Sequence, residues 1–119
     1  MARDAPTIDG YGDGGFRLSG AWHAGSLLVV ADQAQPWPVT ALADLTVESL
    51  AAVFAAGRAE VEFLLLGVGP RNAQPPRAVR EALLAAGMGF EFMDTPAAAR
   101  LYNVLTSEGR RLALALIAV

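Results

Sequence analysis

Two continuous apolar runs constrain the fold of this chain more than any other feature. The segments GSLLVVAD (25–32) and EVEFLLLG (60–67) each contain four consecutive large apolar residues, so neither run has a polar face. A strand that is exposed on one side carries polar residues at alternate positions, whereas a strand buried on both sides does not. The two runs therefore predict strands in the interior of a sheet that is covered on both faces.

Three helical patterns alternate with further strand-like segments. LTVESLAAVFAAG predicts a helix with Thr46 as its N-cap, Leu45 and Leu50 as a hydrophobic staple and Gly57 at its end. Two more helices are predicted in RAVREALLAAG and DTPAAARLYNVLTSEG, and two more strands in GFEFM (89–93) and RRLALALIAV (110–119). Strands that alternate with helices of 10 to 15 residues favour an α/β fold with a largely parallel sheet and helices on its faces.

The N-terminal part has a different character. IDGYG and GGFRLSG predict short strands, which we expect to form a small antiparallel addition. SGAWHAGS indicates a turn, and QAQPWPVTALAD, with Trp37 between Pro36 and Pro38, indicates an irregular connection. Residues 1–6 are expected to form a flexible tail, and residues 7–119 a single domain.

Composition excludes several classes of function. The net charge is −3 and the pI is about 5.0. The chain therefore lacks the excess of basic residues that is typical of a nucleic-acid-binding protein. Cysteine is absent and His23 is the only histidine, so we expect no metal site and no cofactor. MARDAPTIDG carries no apolar secretion signal, and LALALIAV is too short for a membrane span. These features favour a cytoplasmic protein.

The end of the second apolar run resembles a dinucleotide-binding loop but lacks its essential parts. Gly67 and Gly69 match the start of G-x-G-x-x-G, whereas Asn72 occupies the third position and Pro70 has no N–H for a phosphate. An anion or small-molecule site, with or without catalysis, remains an alternative between the 67–72 loop and the start of the 95–107 helix. Its candidate residues are Gly67, Gly69, Arg71, Asn72 and Arg77.

The third helix carries polar residues that a core does not need. Its predicted apolar face consists of Ala97, Ala98, Leu101, Val104 and Leu105. Arg100 and Tyr102 flank this face with their polar tips in water, and Asn103 points away from it. Asp94 or Thr95 is the expected N-cap of the helix. Asp94 is interpreted as a cap rather than as a catalytic carboxylate, because no partner carboxylate forms a motif with it.

The segments GGFRLSG, GSLLVV, LLLGVG, GMGFEFMDTPAAARLYNVL and EGRRLALALI together resemble domain of unknown function 498, over residues 7 to 119. That family includes the mitochondrial NADH:ubiquinone oxidoreductase (complex I) assembly factor 3 and many small bacterial proteins. The resemblance implies a three-layer α/β fold around a mixed central sheet with a small β appendage. It also implies no established enzymatic activity and no accepted catalytic residues.

The resemblance suggests a non-enzymatic module that binds protein partners. Components of respiratory-complex assembly are candidates for these partners. The expected functional surface is the family motif on and around the third helix: Asp94, Thr95, Arg100, Tyr102, Asn103, Glu108 and Arg110. A homo-oligomer that uses Trp22, Trp37 or the outer strands is a further possibility.

Overall fold

The computed structural model describes residues 5–119, which contain two sheets and three helices. The smaller sheet consists of β1 (Ile8–Gly12), β2 (Gly15–Leu18) and β3 (Ala21–Ala24). The larger sheet consists of β4 (Ser26–Val30), β5 (Gln33–Trp37), β6 (Phe63–Gly67), β7 (Gly89–Met93) and β8 (Leu112–Leu116). The helices are α1 (Ala51–Glu60), α2 (Arg77–Ala85) and α3 (Thr95–Ser107). Residues 1–4 of the predicted tail lie outside the described range.

The larger sheet is mixed, in the order β5-β4-β8-β6-β7. β8 pairs parallel with β6 and β6 parallel with β7, whereas β4 pairs antiparallel with both β5 and β8. Parallel pairings therefore do not predominate, contrary to the prediction of a mainly parallel sheet. The reason is local: Ala31 and Asp32 have φ of 51° and 62°, the left-handed geometry of a two-residue hairpin that returns the chain directly beside β4.

Apolar side chains from the two faces of the larger sheet enter two separate clusters, as the unbroken apolar runs predicted. Along β6, Leu64 and Leu66 belong to one cluster and Leu65 to the other, because successive side chains of a strand point to opposite faces. The first cluster includes Val53 of α1 and Leu83 of α2. The second includes residues of α3 and of the smaller sheet: Ala98, Ala99, Tyr102, Ile8, Phe16 and Leu18.

The segment predicted as an irregular connection begins with a strand. Gln33–Trp37 forms β5 at one edge of the larger sheet, and Pro36 lies within it. An edge position explains why proline is tolerated there, since the missing N–H need not serve a second neighbour. Trp37 is only 4% exposed, and its Nε1 donates a hydrogen bond to the carbonyl of Ser49 at 2.8 Å. It therefore fixes the following segment and is not available for an oligomer interface.

The SGAWHAGS segment also contains a strand rather than a turn alone. Ala21–Ala24 forms β3 and pairs with β2, between turns at Gly20 and Gly25, whose φ values are 85° and 83°. The apolar alternation that would have indicated a strand is missing because β3 lies at the edge of the smaller sheet. Trp22 is 51% exposed there.

The first helix begins later than the sequence indicates. Thr46 Oγ1 accepts a hydrogen bond from the Ser49 N–H at 3.1 Å, and Ser49 Oγ accepts one from the Thr46 N–H at 3.0 Å. This reciprocal cap closes a short 3-10 turn, Glu48–Leu50, which precedes α1. The helix is interrupted at Gly57, the predicted end, where φ is 69°, and the element continues to Glu60.

Candidate functional site

The glycine loop after β6 is held by its own chain. A β-carbon at Gly67 would lie 2.6 Å from Leu116 Cδ2 and 3.0 Å from Thr95 Cα, so glycine is needed there for a close approach of the backbone. Gly69 is needed for its conformation, because its φ is 110°. Its N–H donates to Thr95 Oγ1 at 3.0 Å, and its carbonyl accepts from the Thr95 N–H at 2.8 Å. The N–H that a phosphate would need at Gly69 is therefore already used.

Thr95 lies in the interior and has a structural role. Besides accepting from Gly69, its hydroxyl donates to the carbonyl of Ile117 at 2.7 Å, and the residue is fully buried. One side chain thus joins the glycine loop, the start of α3 and the segment after β8. Asp94 is the N-cap of α3, as predicted, and its Oδ1 accepts from the Ala97 N–H at 2.9 Å.

The other residues of the loop candidate are exposed to solvent. Arg71 and Asn72 are exposed. Arg77, whose charge opposes the dipole at the start of α2, forms an exposed ion pair with Glu81 in which Nε and Oε1 are 2.7 Å apart. The structure therefore places an intrahelical partner beside Arg77.

The buried face of α3 differs from the predicted one. Thr95, Ala98, Ala99 and Tyr102 are its buried residues, whereas Val104 is 53% exposed. The expectation that Tyr102 keeps its tip in water was wrong, because the side chain is fully buried in the α3-side cluster. The face is rotated because the small side chains of Ala98 and Ala99, rather than leucines, allow the helix to approach the sheet. Tyr102 is thereby removed from the candidate surface.

Two polar residues of α3 bind the smaller sheet. Asn103 Oδ1 accepts from the Ile8 N–H at 2.9 Å, and Asn103 Nδ2 donates to the Ile8 carbonyl at 2.8 Å. Arg100 Nη1 donates to Tyr11 Oη at 3.2 Å. The structure thus supplies two hydrogen bonds for the Asn103 amide from within the chain.

A groove of about 460 Å³ lies between α3 and the edge of the larger sheet. We call it the α3–β7 groove. Its lining residues are Phe63, Gly89, Phe90, Glu91, Leu101, Leu105 and Arg110. Of the residues proposed from the sequence, only Arg110 lines it. Arg110 Cζ lies 5.4 Å from the centroid of the Phe63 ring, and its Nε lies 3.2 Å from Glu62 Oε1. Glu108 is exposed just after α3.

The groove exists partly because residue 89 has no side chain. A β-carbon built there would meet Phe63 Cβ at 3.5 Å, an ordinary contact, so the position has room that the chain leaves unfilled. A glycine within a strand pattern is a known signal for the close approach of another group, so Gly89 is the feature of GFEFM that could have indicated the groove. Leu101 and Leu105 also line the groove. The sequence could not show this, because helical periodicity does not distinguish a leucine that lines a groove from one that packs in the core.

Glu62 provides the clearest electrostatic feature near the groove. The N–H of Arg111 donates to its Oε2 at 2.7 Å and lowers the pKa of this carboxyl, and the Arg110 guanidinium lowers it further. The ionised carboxylate thus fixes the starts of β6 and β8 together. Among the described residues, no group of three His, Cys, Asp or Glu side chains is arranged to hold a metal ion. No helix in that range has both the length and the apolar character needed to cross a membrane.

Comparison with known proteins places the chain in a family. The model for a protein family of unknown function (DUF498/DUF598) matches residues 8–117. An uncharacterized protein of Rhodobacter capsulatus is 46% identical over 92% of this chain and 82% of its own length. NADH dehydrogenase (ubiquinone) 1 alpha subcomplex assembly factor 3 is 36% identical in Danio rerio, over 92% of this chain, and 30% identical in Homo sapiens, over 98%. The chain spans only 63% and 62% of these two proteins.

Solved structures have the same architecture. The crystal structure of a Bartonella henselae protein described as an outer membrane protein superposes with a TM-score of 0.90 and 32% identity, over 97% of this chain and 96% of that one. A Bordetella pertussis protein described as an Mth938-like domain gives a TM-score of 0.79 and 31% identity, over 98% and 88% of the two chains. The protein MT938, at 17% identity and a TM-score of 0.67, shares the fold alone. By its sequence and its fold, this chain belongs to the DUF498/DUF598 family.

Proposed function

We propose that this protein is a non-enzymatic, protein-binding module that takes part in the assembly of a respiratory complex and that docks its partner at the α3–β7 groove. Support for an assembly role comes from the relatives named as assembly factors, which align with 92% to 98% of this chain. Those relatives are longer than this chain. That this chain binds partners of the same kind is therefore part of the proposal. A location in the cytoplasm belongs to the same proposal.

The α3–β7 groove is the main structural support for this location of the docking site. Most of the polar motif of α3 is engaged within the chain, since Thr95, Asn103 and Arg100 bond to the glycine loop and to β1. The groove, by contrast, presents leucine and phenylalanine side chains to an open cleft with Glu91 and Arg110 beside them. An apolar centre with charged groups at its rim is typical of protein interfaces.

Affinity capture in Rhodobacter capsulatus tests the proposal. The gene for the 46% identical relative is replaced by a tagged form of this chain, and the captured proteins are identified by mass spectrometry. We expect subunits of an NADH dehydrogenase or other components of its assembly. Leu101→Glu places a charge in the groove and should remove them, whereas Val104→Glu, on an exposed position of the same helix, should not.

Thermal melts of both variants establish that each one folds. Identical partners for Leu101→Glu and Val104→Glu would contradict docking at the groove. A captured set without any respiratory component would contradict the assembly role. Thermal stabilisation by a small metabolite, lost in folded Leu101→Glu, would instead show that the groove is a small-molecule site.

A further inference from the structure

β7 has a hydrogen-bonding edge that no described residue occupies. It is the outermost strand of the larger sheet, and its pairing partner there is β6. The Met93 carbonyl accepts from the Val68 N–H at 2.9 Å, so Gly89, Glu91 and Met93 direct their backbone groups toward β6. The alternate residues, Phe90 and Phe92, therefore direct their N–H and C=O groups outward. Outside the β6–β7 ladder, no backbone hydrogen bond joins either of them to another residue of 5–119.

The opposite edge of the same sheet is protected and β7 is not. β5 contains Pro36, which has no N–H to offer to an added strand. β7 has no proline and no basic residue. Proteins usually blunt an exposed edge with such residues because an unprotected edge pairs with other chains. The unprotected edge thus lies at the α3–β7 groove.

The groove and the free edge are arranged to accept the same segment. In a sheet, directly opposite residues of neighbouring strands place their side chains on the same face. A residue opposite Glu91 would therefore face the groove, beside Leu101 and Leu105. A residue two positions along would stand opposite Gly89, where the missing side chain leaves room.

Charge determines what kind of segment fits. Glu91 is exposed at the centre of β7, and no hydrogen bond or ion pair joins its carboxylate to another residue of 5–119. In symmetric antiparallel pairing of two copies about the middle of β7, Glu91 would lie opposite Glu91 of the other copy, and like charges directly opposite are unfavourable. A basic side chain in that position would be favourable. The occupant indicated by this edge is thus a different chain, not a second copy.

We infer that β7 receives an extended segment of the partner protein as an additional strand, with Lys or Arg opposite Glu91 and a large apolar side chain opposite Gly89. The inference rests on the proposed function and specifies the partner chemistry at the same site. Main-chain hydrogen bonds to Phe90 and Phe92 supply the attachment, and the two side-chain positions supply the specificity.

A seven-residue random peptide library displayed on phage provides the probe. The synthetic form of the strongest binder is titrated into the ¹⁵N-labelled protein, and amide hydrogen exchange is measured residue by residue. We expect a basic residue two positions from a large apolar one, and slowed exchange of the Phe90 and Phe92 amides. Glu91→Lys should weaken the binding of the peptide by roughly fivefold. Glu48→Lys, at an exposed carboxylate outside the groove, should leave peptide binding unchanged.

Gly89→Val provides a second variant with its own control. It fills the open position and should prevent peptide binding, while Gly10→Val should leave it unchanged. Gly10 is a good control because it also lies in an edge strand and also has room for a β-carbon, 3.9 Å from Arg17 Cβ.

The outcomes separate this inference from the function on which it rests. A peptide that shifts Leu101 and Leu105 resonances without protecting Phe90 and Phe92 overturns strand addition but leaves the groove as a docking site. If the library yields no binder but partner capture still depends on Leu101, strand addition is again overturned and the groove again remains a docking site. If the protein itself dimerises and Gly89→Val abolishes the dimer, the occupant of the β7 edge is a second copy rather than a partner protein, and the inference is overturned. Failure of partner capture contradicts the proposed function itself, whatever the peptides do.

Discussion

At Gly67 the backbone of β6 passes so close to α3 and β8 that a side chain has no space. The β-carbon of Gly67→Ala would lie 3.0 Å from the backbone of Thr95, which cannot move away easily, and 2.6 Å from Leu116. We expect this variant to lower the free energy of unfolding by about 1–3 kcal/mol, as overpacking of a core does. Urea denaturation measures the change.

Gly89→Ala is the matched control for Gly67→Ala. Its β-carbon makes only an ordinary 3.5 Å contact with Phe63, and alanine is less costly than glycine within a strand. We therefore expect unchanged or slightly increased stability. If the two alanine variants unfold at the same urea concentration, close packing does not explain the glycine at position 67.

Glu62 links acidity to stability through the N–H of Arg111. Its folded pKa is below the usual value of 4.5, so the folded state is stabilised above the unfolded pKa, and this stabilisation is lost as pH falls through the folded pKa. Glu62→Gln should therefore lower Tm at pH 7 and have a smaller effect at pH 3. Thermal melts across this range provide the measurement. An equal difference in Tm at both pH values would show that ionisation of Glu62 does not contribute.

Single residues also show where the sequence was informative. Asp94 was identified as a cap because a carboxylate between a strand and a helix has an evident local role, and that role was correct. The need for glycine at position 67 could not be read from the sequence, since only its three-dimensional neighbours reveal the close approach. Tyr102 was placed at the surface because a tyrosine is compatible with either side of a helix.

At the level of elements, α3 joins the two sheets. One of its faces packs on the larger sheet, and Asn103 forms two hydrogen bonds with Ile8 of β1. Asn103→Ala removes both bonds and leaves two part-buried backbone groups without a protein partner. We expect a loss of about 1–3 kcal/mol and faster amide exchange at Ile8.

The exposed neighbour of Asn103 supplies a control on the same helix. Val104→Ala should change stability by less than about 0.5 kcal/mol, as surface substitutions usually do, and should not affect exchange at Ile8. Faster exchange throughout β1 and β2 in both variants would indicate general loosening of the helix rather than loss of the Asn103 bonds.

The strands with the clearest sequence signal are those buried on both faces. β4 and most of β6 are fully buried, and their unbroken apolar runs are sufficient evidence. β5 and β3 escaped prediction because Pro36 and exposed residues such as Trp22 are compatible with an edge strand but do not indicate one. The free edge of β7 was equally invisible, since strand order is not encoded in any one segment.

At the scale of the whole molecule, β8 connects two halves of the larger sheet. It lies between β4 and β6, and all of its residues are buried. Deletion of residues 112–119 should therefore leave no folded sheet, with loss of dispersed amide resonances. Deletion of Val119 alone removes a hydrogen bond from the Gly14 N–H at 2.9 Å and should leave the fold intact. Native-like spectra for the longer deletion would contradict a central role for β8.

The position of β8 also sets the order of events during synthesis. While the ribosome is still making residues 112–116, the β4–β5 hairpin and the β6–β7 pair have no strand between them. Their apolar faces and inner edges stay open until the last of these strands emerges, and exposed apolar surface with unpaired edges makes such intermediates prone to aggregation. The nascent chain is therefore expected to depend on chaperones until this strand is released.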